Sequence, residues 1–486
     1  MASARPRILY CASEMFPLAN TGGLGDVAAA LPAALRELGA DVRVVMPAYP
    51  SALATAVKHE KPVAIGSPGG LGNTRLIPAR TPDTDVEVWL IDCPALFDRP
   101  GGPYGDEGKD WPDNAARFAL LSHAAALMAS KSSPLTWTPE IVHANDWQTG
   151  LVPAILATRQ EPRPATVFTI HNLSFLGLFP EEMFPTLGLP AQAFGVDGVE
   201  FFGGASLMKA GLFYSDRITT VSWTYAQEIQ TKAFGCGLEG LLGHRAPDLT
   251  GILNGADYER WDPSRDPNIA APYSPSSLVG KRACKAALQR EMGLDVRDDA
   301  FVLGSVSRLT SQKGLDLLMD ALRYVLDRDT QLAMLGSGDP VMERGFVAAM
   351  KKYSGRLGIR LGFDDPLAHR IEAGADAFVM PSRFEPCGLN QMYSLKYGTP
   401  PIVHRVGGLA DTVEDGVTGF TFDVPRTSAL AAAIKRAAAM FAKPEVWREM
   451  QLRAMAKDFG WPNAAREYLT VYDSLLRKDQ SRPASL

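Results

Sequence analysis

One carboxylate, two cations and a glycine stand in an order that could hold a phosphate ester. Between Pro381 and Gln391 the chain reads Pro-Ser-Arg-Phe-Glu-Pro-Cys-Gly-Leu-Asn-Gln, and upstream stands Ser307-Arg308-Leu309-Thr310-Ser311-Gln312-Lys313-Gly314. Glu385 follows an apolar strand-forming run, Ala377 to Met380, and Gly388 opens a run of helical character from Leu389 to Tyr397. This places Glu385 at the carboxyl edge of a parallel sheet, beside unpaired amides at a helix start. Arg308 and Lys313 leave the end of another expected strand, Phe301 to Val306, and can neutralise a diphosphate. The chain reads as a carrier of a phosphate-bearing donor.

The elements that must position these residues alternate between short β-rich apolar runs and amphipathic helical ones. Strand Arg7–Cys11 precedes helix Leu24–Leu38, strands Val42–Met46 and Val86–Ile91 precede helix Asn114–Met128, and strand Ile141–His143 precedes helix Gly150–Ala157. Strand Thr166–Ile170, helix Ser206–Tyr214 and strands Ile218–Val221 and Ile252–Leu253 complete the first half. A polar, proline-bearing stretch from Asp257 to Pro275 reads as an interdomain linker. The second half restarts at Phe301–Val306, continues through helix Leu315–Leu326, strand Gln331–Leu335, helix Met342–Lys352, strand Ile359–Leu361, helix Pro366–Ala373 and strand Ala377–Met380, and runs on to about Phe459. Alternation of this kind predicts an α/β chain of parallel sheets covered on both faces.

Composition narrows the function. The 486 residues suffice for two large domains. A net charge of −5 without a long run of like charge gives no footprint for nucleic acid. Five cysteines, an odd number without a Cys-x-x-Cys pair, indicate neither a disulfide framework nor a zinc site and suit a reducing compartment. The apolar stretch Ile8–Ala12 is too short for a signal sequence or a membrane span, so a soluble cytoplasmic protein without membrane partners is expected.

Several motifs are weighed and set aside. Neither Gly22-Gly23-Leu24-Gly25 nor Gly336-Ser337-Gly338 satisfies the Gly-x-Gly-x-x-Gly fingerprint, which argues against a dinucleotide cofactor. Gly102 to Lys109 is misspaced for a phosphate-binding Walker loop. Asp83-Thr84-Asp85 and Asp327-Arg328-Asp329 have the Asp-x-Asp form of a metal-diphosphate motif but sit in polar turns. No essential metal and no cofactor are expected, because Arg308, Lys313 and helix amides supply the positive field. Of His143, His171, His369 and His404, position favours His171, which closes the strand Thr166–Ile170. Asp146-Trp147 likewise ends a strand, where Asp146 reads equally as a helix cap. The glycines at 22, 23 and 25 open a helix carrying Asp26 in its first turn, and their amides could approach a diphosphate. Val406-Gly407-Gly408-Leu409 echoes them in the second half, as a phosphate-facing or a packing turn.

In order and spacing, Ser13-Glu14-Met15-Phe16-Pro17, Thr21-Gly22-Gly23-Leu24-Gly25-Asp26-Val27, Asp146-Trp147, His171-Asn172-Leu173, Asn254-Gly255, Ser307 to Gly314, Glu385 to Leu389 and Gly407 to Asp411 resemble the bacterial glycogen and starch synthase family nearly end to end. The resemblance implies a GT-B fold, two doubly wound Rossmann-like domains facing across a cleft. Their expected bounds are 1–256 on the acceptor side and 257–460 on the nucleotide-sugar side, with 461–486 a helix that crosses back to the first. It implies retaining transfer of glucose from ADP-glucose to the non-reducing end of an α-1,4-glucan, with glycogen as product. Arg308 and Lys313 then face the diphosphate, Glu385 and Asp146 are the sugar-side carboxylates, and His171 is a sugar contact. Asn20, Gly22, Gly23, Tyr104 and Asn254 are carried over as donor-binding positions of the first domain. Phe363, where the family often has an adenine-stacking tyrosine, joins Cys387, Gly388 and Leu389 in the second. Three residues depart from the family pattern: Asn20 replaces a lysine, Asn145 a histidine and Asn390 a threonine. The lost charge at Asn20 should weaken donor binding unless a nearby cation such as Lys209 replaces it. Another nucleotide-sugar donor, or an impaired glucan-binding protein, is the alternative.

Overall fold

The computed structural model describes residues 5–159, 161–326 and 329–480, and side chains up to residue 477. The chain divides into two compact units: Met1–Val221 with Ala226–Gly255 and Trp461–Leu486, and Ser222–Tyr225 with Ala256–Gly460.

The first unit is built on a ten-stranded sheet. Strand Arg7–Cys11 lies between Asp41–Pro47 and Ile141–Asn145, parallel to both. Beyond Ile141–Asn145 come Ala165–Ile170, Arg217–Thr220 and Leu249–Gly251, again parallel. On the other side Asp41–Pro47 pairs in parallel with Glu87–Asp92. Counted along the chain, the parallel strands are ordered 7-6-5-4-1-2-3, so the direction of winding reverses between Arg7–Cys11 and Ile141–Asn145. Residues of Ile141–Asn145 and Ala165–Ile170 are buried throughout, as expected of strands covered on both faces. Helix Gly23–Glu37 lays Leu24, Val27, Ala28, Leu31 and Leu35, one helical stripe, into that interior. The final helix, Trp461–Gln480, belongs to this unit, and the Tyr472 hydroxyl meets His143 Nδ1 at 2.8 Å.

The second unit carries six parallel strands in the order Leu357–Leu361, Thr330–Gly336, Phe301–Val306, Ala377–Met380, Pro401–His404 and Phe420–Phe422. This is the 3-2-1-4-5-6 order of a doubly wound dinucleotide-type fold, with its switch point between Phe301–Val306 and Ala377–Met380. Strands Phe301–Val306 and Ala377–Met380 and helix Asn114–Met128 have the bounds expected from sequence.

Three features differ from expectation. The last strand of the first unit is Leu249–Gly251, so Ile252 and Leu253 follow it. An antiparallel margin formed by Val57–Lys58, Val63–Gly66 and Thr74–Arg80, and a small sheet of Leu178–Pro180, Glu200–Phe201 and Gly204–Ser206, were not anticipated. Apart from Thr74–Arg80, which is seven residues long and mostly buried, these strands have two to four residues and little periodicity to read. The stretch expected to be a linker is instead built into the second unit. Trp261 stacks between His369 and Tyr393, with centroids 3.6 and 4.3 Å away. Buried Asp266 is bound by His369 Nδ1 at 2.8 Å and by the Tyr397 hydroxyl at 2.6 Å.

Candidate active site

In each unit some of the site residues leave the two strands that flank the switch point, where a doubly wound sheet opens a crevice at its carboxyl edge, while His171 leaves the next strand of the first unit, Ala165–Ile170. In the second unit the loop after Phe301–Val306 turns back at Gly314, whose φ is +65°, and a Cβ there would stand 2.1 Å from the Pro381 carbonyl oxygen. Only glycine lets the two strand exits lie this close. The approach brings Lys313 Nζ to 2.6 Å from Glu385 Oε2, and Ser382 Oγ donates to the same oxygen at 2.9 Å. Side-chain exposures of 19% for Lys313 and 7% for Glu385 make this a largely desolvated pair. Sequence reasoning assigned Lys313 to the phosphate and Glu385 to the sugar; here they are direct partners. An ammonium has three donors, so Lys313 can keep Glu385 oriented and still offer N–H groups to an anion. The Arg308 side chain is exposed and forms no ion pair among the described residues.

The amides of Gly388 and Leu389 have no acceptor among the described residues, and Gly388 has a φ of +73°. Gln391 Nε2 donates to the carbonyls of Cys387 and Gly388, and Asn390 Nδ2 to that of Val306, so the departure at Asn390 ties this turn to the neighbouring strand exit. Cys387 itself is buried. Gly407 and Gly408 form a packing turn: a Cβ at either would strike the backbone of Glu385 or Cys387, at 1.9 and 2.1 Å. Phe363 is 92% exposed and presents its ring to solvent.

In the first unit Asp146 follows strand Ile141–Asn145 with φ 55° and ψ −179°, a conformation rare outside glycine. It is no helix cap. Its Oδ1 accepts the His171 amide at 2.7 Å and, more weakly, that of Asn172 at 3.4 Å. Burial raises its carboxyl to about 7 against those hydrogen bonds, with nearby Glu14 adding to the rise. Burial also holds the His171 imidazole down to about 3, a neutral ring. Asn20 Oδ1 accepts the Gly22 amide at 3.0 Å while its Nδ2 donates to Asp26 at 2.9 Å. Nothing lies within 4 Å of where a Cβ would stand on Gly22 or Gly23, so this glycine turn is open where the one at Gly407 is filled. The Tyr104 hydroxyl shares a 2.8 Å hydrogen bond with Ser13, and Asn254 is buried with its Oδ1 unpaired among the described residues. Lys209, the nearby cation considered as a replacement for a lysine at position 20, gives two of its three ammonium donors to the carbonyls of Val196 and Glu200.

A family model described as Starch synthase catalytic domain matches residues 7–244, and one described as Glycosyl transferases group 1 matches residues 292–450. The chain is 49% identical over 481 residues to a protein named Glycogen synthase from Paramagnetospirillum magneticum, covering 96% of this chain and 97% of that protein. It is 51% identical over 478 residues to one of the same name from Dechloromonas aromatica, again covering 96% and 97%. The chain belongs to the glycogen and starch synthase family. Among solved structures, the catalytic domain of Starch Synthase IV from Arabidopsis thaliana bound to ADP and acarbose superposes with a TM-score of 0.87 at 30% identity, over 98% of this chain and all of that one. The fold of this family member is GT-B, with two Rossmann-like units, and it is a glycosyltransferase.

Sequence reasoning gave no role to three residues that hold the candidate site residues of this synthase-family member. Glu14, 2% exposed, accepts the Thr21 amide and hydroxyl, both at 2.7 Å, and so pins the entry to the glycine turn; burial raises its carboxyl to about 7. An acidic residue three positions past the end of an apolar strand is the signal. Ser382 fixes Glu385, and Asn145 contacts His171. The other three histidines weighed in the sequence are structural: His143 bridges Tyr472 and Thr169, His369 holds Asp266, and His404 Nδ1 meets the Ser382 carbonyl. Asp83 and Asp85 belong to a turn, with Asp83 accepting the Thr84 amide and Asp85 pairing with Arg80, while Asp327 and Arg328 of the other acidic motif lie outside the described residues. Among the described residues no helix is long and apolar enough to cross a membrane, and no three His, Cys, Asp or Glu side chains cluster as metal ligands.

Proposed function

We propose that this chain transfers glucose from ADP-glucose to the non-reducing end of an α-1,4-glucan with retention at the anomeric carbon, glycogen being the product. The observation that carries the reading is the Lys313–Glu385 pair at the switch point of the second unit, with exposed Arg308, which has no ion pair among the described residues, on the same loop. In the reaction the bond from the anomeric carbon to the diphosphate oxygen breaks and its electron pair leaves with ADP. The acceptor hydroxyl forms the new bond and loses its proton. Positive charge grows on the sugar and negative charge on the diphosphate, so transition-state stabilisation needs cations on one side and anions on the other. Arg308 and Lys313, with the Gly388 and Leu389 amides, take the diphosphate; Phe363 offers an aromatic face to the adenine. Glu385 and Asp146 take the sugar side with His171. Gly22 and Gly23 admit the donor close to the backbone, with Asn20, Tyr104 and Asn254 around it. The relatives named glycogen synthase and the neighbour holding ADP and acarbose support this choice of donor and acceptor. The cations make a divalent metal unnecessary, and the protein works in the cytoplasm.

The test is incubation of the purified chain with glycogen and labelled ADP-glucose or UDP-glucose, with and without chelator. Incorporation from ADP-glucose that α-amylase releases and chelator leaves intact is expected. Preference for UDP-glucose would overturn the donor assignment, restoration by magnesium after chelation the metal-free reaction, and no incorporation from either donor the synthase reading.

A further inference from the structure

Asn145 ends strand Ile141–Asn145, fully buried, and the orientation of its side-chain amide is determined by its neighbours. Nδ2 donates to the Cys11 carbonyl at 3.0 Å and faces that of His143 at 3.4 Å. Carbonyl oxygens only accept, so the amide cannot be turned over. Its Oδ1 therefore receives the Tyr10 hydroxyl at 3.0 Å and lies 3.0 Å from His171 Nε2. That oxygen has no proton to give, and His171 Nε2 must carry the hydrogen. The lone pair of the neutral ring is then on Nδ1, which forms no hydrogen bond among the described residues and is not one of the sealed polar atoms of the interior. The backbone is held too, because the His171 amide donates to Asp146.

We propose that Asn145 is a positioning residue, which locks His171 in the Nε2–H tautomer so that Nδ1 meets the donor sugar only as a hydrogen-bond acceptor, receiving a hydroxyl proton. This rests on the assignment of His171 to the sugar side. It gives the departure at position 145 a chemical role: a neutral amide whose two ends are told apart by their partners sets the polarity of the neighbouring ring. The buried, neutral imidazole described above suits an acceptor that keeps the same form throughout the neutral range.

The experiment is a long-range proton–nitrogen correlation spectrum of the full chain at pH 8 with labelled histidine, seven rings in all, using His171→Gln to assign the signal. Wild type should show His171 protonated at Nε2 and bare at Nδ1. Asn145→Asp, with its acid proton on the oxygen that replaces Nδ2 and donated to the Cys11 carbonyl, keeps an acceptor facing His171 Nε2 and should keep this pattern; Asn145→Leu should lose it. In Asn145→Leu, kcat/KM for ADP-glucose should fall about tenfold, the worth of one well-aligned hydrogen bond, with partial recovery in Asn145→Asp. A wild-type ring protonated at Nδ1 or at both nitrogens overturns the proposal, as does an Asn145→Leu variant in which either the tautomer or kcat/KM stays put. If that variant does not fold, wild type and Asn145→Asp decide it. The spectrum needs no substrate, so failure of wild type to make polymer would sink the proposed function and leave the tautomer to be judged separately.

Discussion

Lys313 and Glu385 act on each other before they act on any substrate, and that changes what their removal should do. Each alone should lower kcat by on the order of a hundredfold, since a preorganised charge at a developing ion is worth roughly 3 to 4 kcal/mol. The pair is largely desolvated, however, and Lys313→Ala leaves Glu385 with Ser382 as its remaining side-chain partner. That variant should lose roughly 1 to 3 kcal/mol of stability, and the double variant less than the sum of the single ones, in a denaturation cycle. Additive losses would mean that the contact does not couple. Asp146 carries a pH signature. Its carboxyl, raised to about 7, keeps its proton in the folded chain over a range where the unfolded chain has released it. Its contribution to stability is thus fully present below about pH 4 and lost as pH rises through about 7. Asp146→Asn should gain in Tm relative to wild type between pH 5 and 8, while Glu14, also near 7, still titrates in both proteins. If the carboxylate is the working form, wild-type kcat/KM should climb through about pH 7 and that rise should be much reduced in Asp146→Asn; a flat wild-type profile would count against the sugar-side role. The types and order of these residues were legible in the sequence. Their pairing was not, because Lys313 and Glu385 are 72 residues apart and meet only once two strands lie side by side.

Two glycine turns that look alike in sequence separate at the level of elements: the one at Gly407 is filled and the one at Gly22 is open. Gly314, with φ +65° and the Pro381 carbonyl oxygen 2.1 Å from where a Cβ would stand, has no room for alanine either. Gly314→Ala should cost on the order of 3 kcal/mol and displace Lys313, lowering kcat as well as Tm. Gly23 starts helix Gly23–Glu37 with nothing within 4 Å of its Cβ position. Gly23→Ala should keep its Tm within about a degree, because alanine is the better helix former. If the turn faces the donor diphosphate, KM for ADP-glucose should rise nonetheless. An unchanged KM would remove the turn from the site, and a large fall in Tm would contradict the open geometry. The alternation of strands and helices made the parallel sheets readable, since strands covered on both faces must be apolar along their length. The antiparallel margin of the first unit escaped because Val57–Lys58 and Val63–Gly66 are too short and too exposed to show a period.

On the scale of the whole molecule, the chain returns to its first unit after completing the second. Helix Trp461–Gln480 buries Tyr468 and Tyr472 completely, and Tyr472 meets His143, 329 residues earlier. Deleting residues 461–486 should therefore unfold the first unit rather than trim a tail, and show as loss of soluble protein; a soluble truncation with wild-type Tm would refute this. By itself the sequence determined the fold class, the βα alternation and the residues available for chemistry, because these follow from local periodicity and from residue types at strand ends. Only the tertiary structure decided which of them touch, which glycine turn is open, and where the stretch after residue 256 belongs. Its polar, proline-bearing composition has the character of a linker. Asp266 is tolerable in the interior because His369 and Tyr397, more than a hundred residues away, satisfy the carboxylate oxygen that the neighbouring Asn268 amide does not reach. Burial of a polar group is settled by partners that the local sequence does not contain.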